Sequence, residues 1–181
     1  MNKNIRPIAQ AAVMLALLVT LQALTKGFGQ LVTGSCVNMI LAVSVLAGGL
    51  FCGITVAILS PVLAFLLGIA PQILTVPAIM AGNTVFVILL FVLADPSGKK
   101  PVKQIFAWIL AAAAKFAALY LIVVKIICGL LSEQLLASGT LKAPMLTVLP
   151  ATFSWPQLFT ALIGGGLALL TIPVIRKAIR K

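Results

Sequence analysis

Six apolar runs separated by short clusters of glycine, proline and charged residues make up almost all of this chain. They cover residues 8–25, 37–50, 53–67, 77–94, 104–131 and 155–175. A hydrocarbon core of about 30 Å takes roughly 20 residues of α-helix, so each run is long enough to cross it or nearly so. The two short runs are joined by Gly48-Gly49-Leu50-Phe51-Cys52-Gly53, a glycine-rich turn suited to connecting antiparallel helices at one membrane face. In lipid the backbone must satisfy its own hydrogen bonds, which helices do within each segment. The pattern predicts an all-α integral membrane protein: one transmembrane domain over residues 1–181, a compact bundle of about six helices.

Composition agrees. Hydrophobic residues are 62% of the 181, charged residues 8%, and mean hydropathy is +1.25, against roughly 45–50% apolar residues in globular domains. The formal net charge of +11 raises the question of nucleic acid. The basic residues, however, sit at the ends of apolar runs instead of gathering on a soluble reading module. Lys3 and Arg6, then Lys99, Lys100 and Lys103, then Arg176, Lys177, Arg180 and Lys181 fall on one side of a six-crossing arrangement. Only Lys26 and Lys142 fall on the other. The positive-inside rule then makes both termini cytoplasmic in a multi-pass protein of the cell membrane, with anionic lipid a natural contact of the basic ends. The outer connections are 26–36, 68–76 and 132–154, the last ordered by Pro144 and Pro150. A cleavable signal peptide is the competing reading of the first run; its length and the lack of a small-x-small site favour a retained helix.

Candidate chemistry is sparse. The chain has no histidine, its only acids are Asp95 and Glu133, and Cys36, Cys52 and Cys128 are far apart in sequence. That inventory disfavours a transition-metal site or a histidine-based triad, and the cysteines read as small apolar side chains. No G-x-x-x-x-G-K-[ST] stretch is present to hold ATP phosphates. We expect no enzyme activity and no cofactor.

Lys115 breaks the longest apolar run about 11 residues in, roughly 16 Å along a helix and near mid-bilayer. A lysine at that depth faces a polar cavity, a partner or a ligand, because snorkelling to the headgroups is a strain from there. Ala111, Lys115, Ala118, Ile122 and Lys125 follow a 4-3-4-3 spacing, which predicts one helix face turned into the protein with both lysines on it. Lys125 lies close enough to the end of the run to snorkel instead. Asn83, an amide inside the fourth run, needs a partner or ligand of its own. Tyr120 and Gln157 lie toward the same outer end, and Trp155 reads as part of an interfacial aromatic belt. Ser154 reads as a helix N-cap, with Gln157 at the third helical position. Asn83, Lys115, Tyr120, Lys125 and Gln157 are the candidate substrate-binding set.

The first run carries small residues, Ala9, Ala12, Ala16, Thr20 and Ala23, at steps of three and four. Such a stripe lets a second helix approach closely in lipid. The spacing favours internal packing over a partner's helix, and both readings stand.

In length, six-helix body with cytosolic termini, the Ala12-x-x-x-Ala16 pair, the glycine-rich second turn and polar groups toward the outer ends of later helices, the chain resembles the substrate-binding S components of energy-coupling factor (ECF) vitamin transporters. The resemblance covers essentially the whole chain and rests on architecture more than on residues. It implies a subunit that binds a vitamin or related micronutrient under its outer loops. Ala12 and Ala16 would then dock on a transmembrane T component driven by two cytosolic ATPases. Two inward lysines favour a small anionic ligand over a cation such as thiamine, which would want a carboxylate. Aromatic residues, 7% of the chain, offer little for stacking a flavin. The alternative function is a small structural or assembly membrane protein whose lysines contact lipid headgroups or a partner subunit.

Overall fold

The computed structural model describes residues 5–69, 72–95, 97–98 and 100–179. Among these every regular element is a helix. Lys3, Lys99, Arg180 and Lys181, used above to orient the chain, and Ala70 and Pro71 in the second outer connection, lie outside the described residues.

Helix α1 spans Ile5–Thr25 and passes through a 3-10 turn at Lys26–Phe28 into α2, Gln30–Leu66. Helix α3 covers Val76–Leu93, and α4 covers Pro101–Leu119 before continuing as a π-helix over Tyr120–Leu130. Two short helices follow, α5 at Ser132–Ala137 and α6 at Met145–Phe153. The chain closes with α7, Trp155–Ile179.

The 37 residues of α2 do not form one rod. Gly49 takes φ 85° and ψ 178°, a region open essentially to glycine alone. A Cβ built on Gly53 would lie 2.8 Å from Val45 Cβ, whereas residues eight apart on a continuous helix are about 12 Å apart along the axis. The two arms of α2 therefore fold back on each other about Gly49. This is the antiparallel turn expected from the glycine-rich stretch, made by one residue. With α1, α3, α4 and α7, the arms give six apolar helical segments, five of the helices being long and apolar enough to cross a membrane even when α2 is counted once. The first arm starts at Gln30, seven residues before the apolar run, so most of the expected outer connection 26–36 is helical.

We expect Gly49→Ala to destabilise the fold by about 1–3 kcal/mol through backbone strain alone, since a Cβ there would meet nothing within 4 Å. Thermal unfolding in detergent measures it; an unchanged midpoint would mean that the turn can be made another way.

The first arm of α2 is the hub. Residues Ile40 to Val45 are buried on every side, and α2 packs against α1, α3 and α7 while α4 closes the ring against α3 and α7. The main core joins Ala11 and Leu18 of α1, Val56 of the second arm, Phe86 and Leu90 of α3, Ala111 of α4 and Ala168 of α7. A second core lies under α6, where Leu149 and Phe153 meet Leu119, Val123 and Leu141. The long connection 132–154 is thus an ordered cap. Within it, Ser154 does not cap α7: its Oγ donates back to the Ala151 carbonyl at 3.5 Å, and Gln157 Nε2 turns to the Thr152 carbonyl at 3.3 Å.

The small-residue stripe of α1 faces outward. Ala9, Ala12, Ala16, Thr20 and Ala23 are all exposed, whereas Ala11 and Leu18 point into the core. Internal packing, which the spacing favours, is not the role of this face within the chain.

Candidate functional site: a polar cavity around Lys115

Where the connections after α1 and after the second arm of α2 meet the cap, a cavity of about 210 Å3 enters the bundle. Lys115 lies at its inner end, 2% exposed. Its Nζ donates to Asn38 Oδ1 at 2.6 Å and to Asn83 Oδ1 at 2.7 Å, and sits 5.6 Å from the centre of the Phe86 ring. An ammonium carries three N–H donors, so two neutral amide oxygens satisfy it in part and offset none of its charge.

Glycines bring these groups together. A Cβ on Gly82 would lie 2.7 Å from Leu119 Cγ, so its absence lets α4 close on α3 beside Asn83. Across the cavity Gly34 accommodates Thr160, whose Oγ1 accepts from Asn38 Nδ2 at 3.3 Å while the Gly34 carbonyl accepts from the same amide at 2.9 Å. Asn38 is thereby held with its oxygen toward Lys115.

Three buried polar atoms of the lining residues have no hydrogen-bond partner among the described residues: Asn83 Nδ2, Ser60 Oγ and Gln22 Oε1. Buried polar groups in proteins are nearly always bonded, so these three leave the polarity around the cavity only partly answered. Near the mouth, Lys26 lines the cavity and donates to the Gly68 carbonyl at 2.6 Å, tying the connection after α1 to the one after α2. Among the described lining residues there are two lysines, no acid and one aromatic side chain, Phe153.

Of the five residues expected to bind substrate, Asn83, Lys115 and Gln157 line this cavity. Tyr120 and Lys125 do not. Lys125 is exposed, with its Nζ 5.6 Å from the Tyr120 ring, and the shared inward face predicted for the two lysines does not form. The cause is the π winding from Tyr120 onward, seen at its close where Leu131 N–H donates to the Ile126 carbonyl five residues back. Each π turn takes more residues than an α turn, so positions beyond Tyr120 rotate away from the face that carries Lys115. Tyr120 joins an aromatic row outside the cavity, with its ring 5.8 Å from Phe116, which stacks on the exposed Trp155 at 5.5 Å.

Asn38 escaped the sequence reading. It interrupts the second apolar run just as Asn83 interrupts the fourth, and an amide inside an apolar segment was the signal in both cases. Ser60, eleven residues beyond Gly49 as Asn38 is eleven before it, becomes a site residue only through the hairpin. Glu133, the acid a cationic ligand would need, is exposed on α5 and is not among the residues lining the cavity.

No protein family, curated protein or solved structure matches the chain.

Proposed function

We propose that this protein is the substrate-binding subunit of an ATP-driven importer in the cell membrane, an S component of the ECF type, and that its ligand is a small anionic micronutrient. The observation that carries the reading is the buried Lys115, held by two neutral amides at the inner end of a cavity whose described lining contains no acid. A buried charge without a counter-ion is expensive, and a carboxylate or phosphate entering the cavity offsets that cost. Lys26 near the mouth adds attraction of the same sign. Having only Phe153 for stacking, the cavity suits a compact carboxylated vitamin or precursor better than a flavin.

The outward stripe of α1 supports the rest of the reading. Helix association in lipid depends on close packing, and a face of Ala12, Ala16 and their neighbours left uncovered by the chain is a fitting seat for a T component's helix. Energy would come from two partner ATPases, with both termini of this chain cytoplasmic.

Calorimetric titration of the purified protein with small carboxylated vitamins and precursors, paired with uptake into proteoliposomes holding the T component and ATPases, tests this. One ligand of that class should bind at a single site. Ala12→Leu or Ala16→Leu should keep that binding while uptake falls at least ~10-fold, a loss of roughly 1.4 kcal/mol of coupling. Failure of every anion to bind, or loss of binding together with uptake in both variants, would sink the reading.

A further inference from the structure

At the opposite end of the bundle a groove of about 930 Å3 runs between the start of α4 and the last turns of α7. Its long walls are apolar: Ile105 and Trp108 on one side, Leu169, Leu170 and Pro173 on the other. Ile105 and Leu170 are exposed along it, so the groove opens sideways from the bundle. Gly165 and Gly166 seat the Trp108 indole, since a Cβ at Gly165 would collide with its Cδ1 and Nε1. Trp108 thus wedges α4 against α7 beside the groove.

The cations that line it come from the last turn of α7. Arg176 and Lys177 stand there beside Ser97 and Gly98 of the α3–α4 connection. Arg176 Nη2 donates to the Leu46 carbonyl at 3.1 Å, which fixes the guanidinium in place and leaves it further N–H donors. Asp95, the acid of this region, accepts from Ser97 Oγ at 2.5 Å and from Lys100 N–H at 3.2 Å. Gln104, 8% exposed at the floor of the groove, ties the start of α4 to this connection, its Nε2 donating to the Asp95 carbonyl at 2.7 Å.

We propose that this groove binds an anionic glycerophospholipid. The apolar walls take an acyl chain, and Arg176 and Lys177 take the phosphate. Apolar length with cations at one end matches an amphiphile, and basic pockets between helices at the positively charged face of a membrane protein are where anionic headgroups bind. Arginine matches phosphate with two parallel N–H donors, and the choline of phosphatidylcholine would bring a positive charge beside these two cations. The site is separate from the cavity around Lys115 and does not depend on what that cavity binds.

Native mass spectrometry of the full chain, offered equal amounts of phosphatidylglycerol and phosphatidylcholine with the same acyl chains, reads the preference. We expect phosphatidylglycerol to be retained about tenfold more, as two cations near a headgroup allow. The R176Q/K177Q double variant should lose that preference and Arg176→Lys should keep it. A K100Q/K103Q variant removes the same charge outside the groove and should bind as wild type does. Equal retention of the two lipids, or an undiminished preference in R176Q/K177Q, would overturn the site. So would an equal loss in K100Q/K103Q, which would make surface charge the cause.

Discussion

Lys115→Met should weaken binding of the native ligand by at least ~10-fold, equivalent to roughly 1.4 kcal/mol, while the purified protein stays monodisperse. Methionine keeps the length of the side chain and removes its charge, which separates electrostatics from packing. Two opposing effects decide the stability of the variant. Asn38 Oδ1 and Asn83 Oδ1 lose the donor they share, at about 1–3 kcal/mol for each buried acceptor left unmade. Against that, the fold no longer has to hold an ammonium out of water, itself an effect of several kcal/mol. The two are of similar size, so the thermal midpoint should move little while affinity drops. Calorimetric titration beside thermal unfolding distinguishes the cases. Unchanged affinity would assign Lys115 to stability or a protein partner and remove the reason for an anionic ligand. A collapse of the thermal midpoint would show that the two amides need the lysine for folding.

The parts of this site legible in the sequence are those that depend on one residue interrupting an apolar run. Lys115 and Asn83 stand out because a charge or amide among leucines and alanines has to be answered by something, and each is answered by the other. Gln157 was legible for its place at the start of the last helix, although its side chain turns to the Thr152 carbonyl and not to Ser154. What could not be read was phase. From Phe116 to Leu131 nearly every residue is apolar, so no polar stripe registers a change of winding, and the shift from α to π at Tyr120 leaves no mark in the pattern. The spacing that joined Lys125 to Lys115 assumed a continuous α-helix. The small-residue stripe of α1 fails to declare itself for a related reason: small residues serve an internal contact and an external one equally well, and only the opposite face, with Ala11 and Leu18 buried, decides between them. The hairpin at Gly49 was legible because glycines accumulate there, but the placement of Asn38 and Ser60 on one cavity is tertiary and follows only once the arms are folded.

Gly164→Ala should be the most damaging single-methyl change in the bundle. A Cβ at this position of α7 would run into the Ser35 carbonyl oxygen and come within 2.7 Å of Met39 N and of Asn38 Cβ. Two of these three atoms are backbone of the first arm of α2, which cannot rotate out of the way as a side chain can. Overpacking of this kind costs about 1–3 kcal/mol, and a backbone obstacle puts this position at the upper end. The displaced segment contains Asn38, so the hydrogen bond to Lys115 should lengthen and ligand affinity should fall with stability. Gly165→Ala is the control one residue away, because there the obstacle is the half-buried Trp108 ring, which can shift toward the open groove. Thermal unfolding in detergent should rank Gly164→Ala well below Gly165→Ala, with ligand binding impaired only in the first. Equal stability of the two would mean that α7 and α2 can part without cost, and that the close approach of Gly164 is not what holds Asn38 against Lys115.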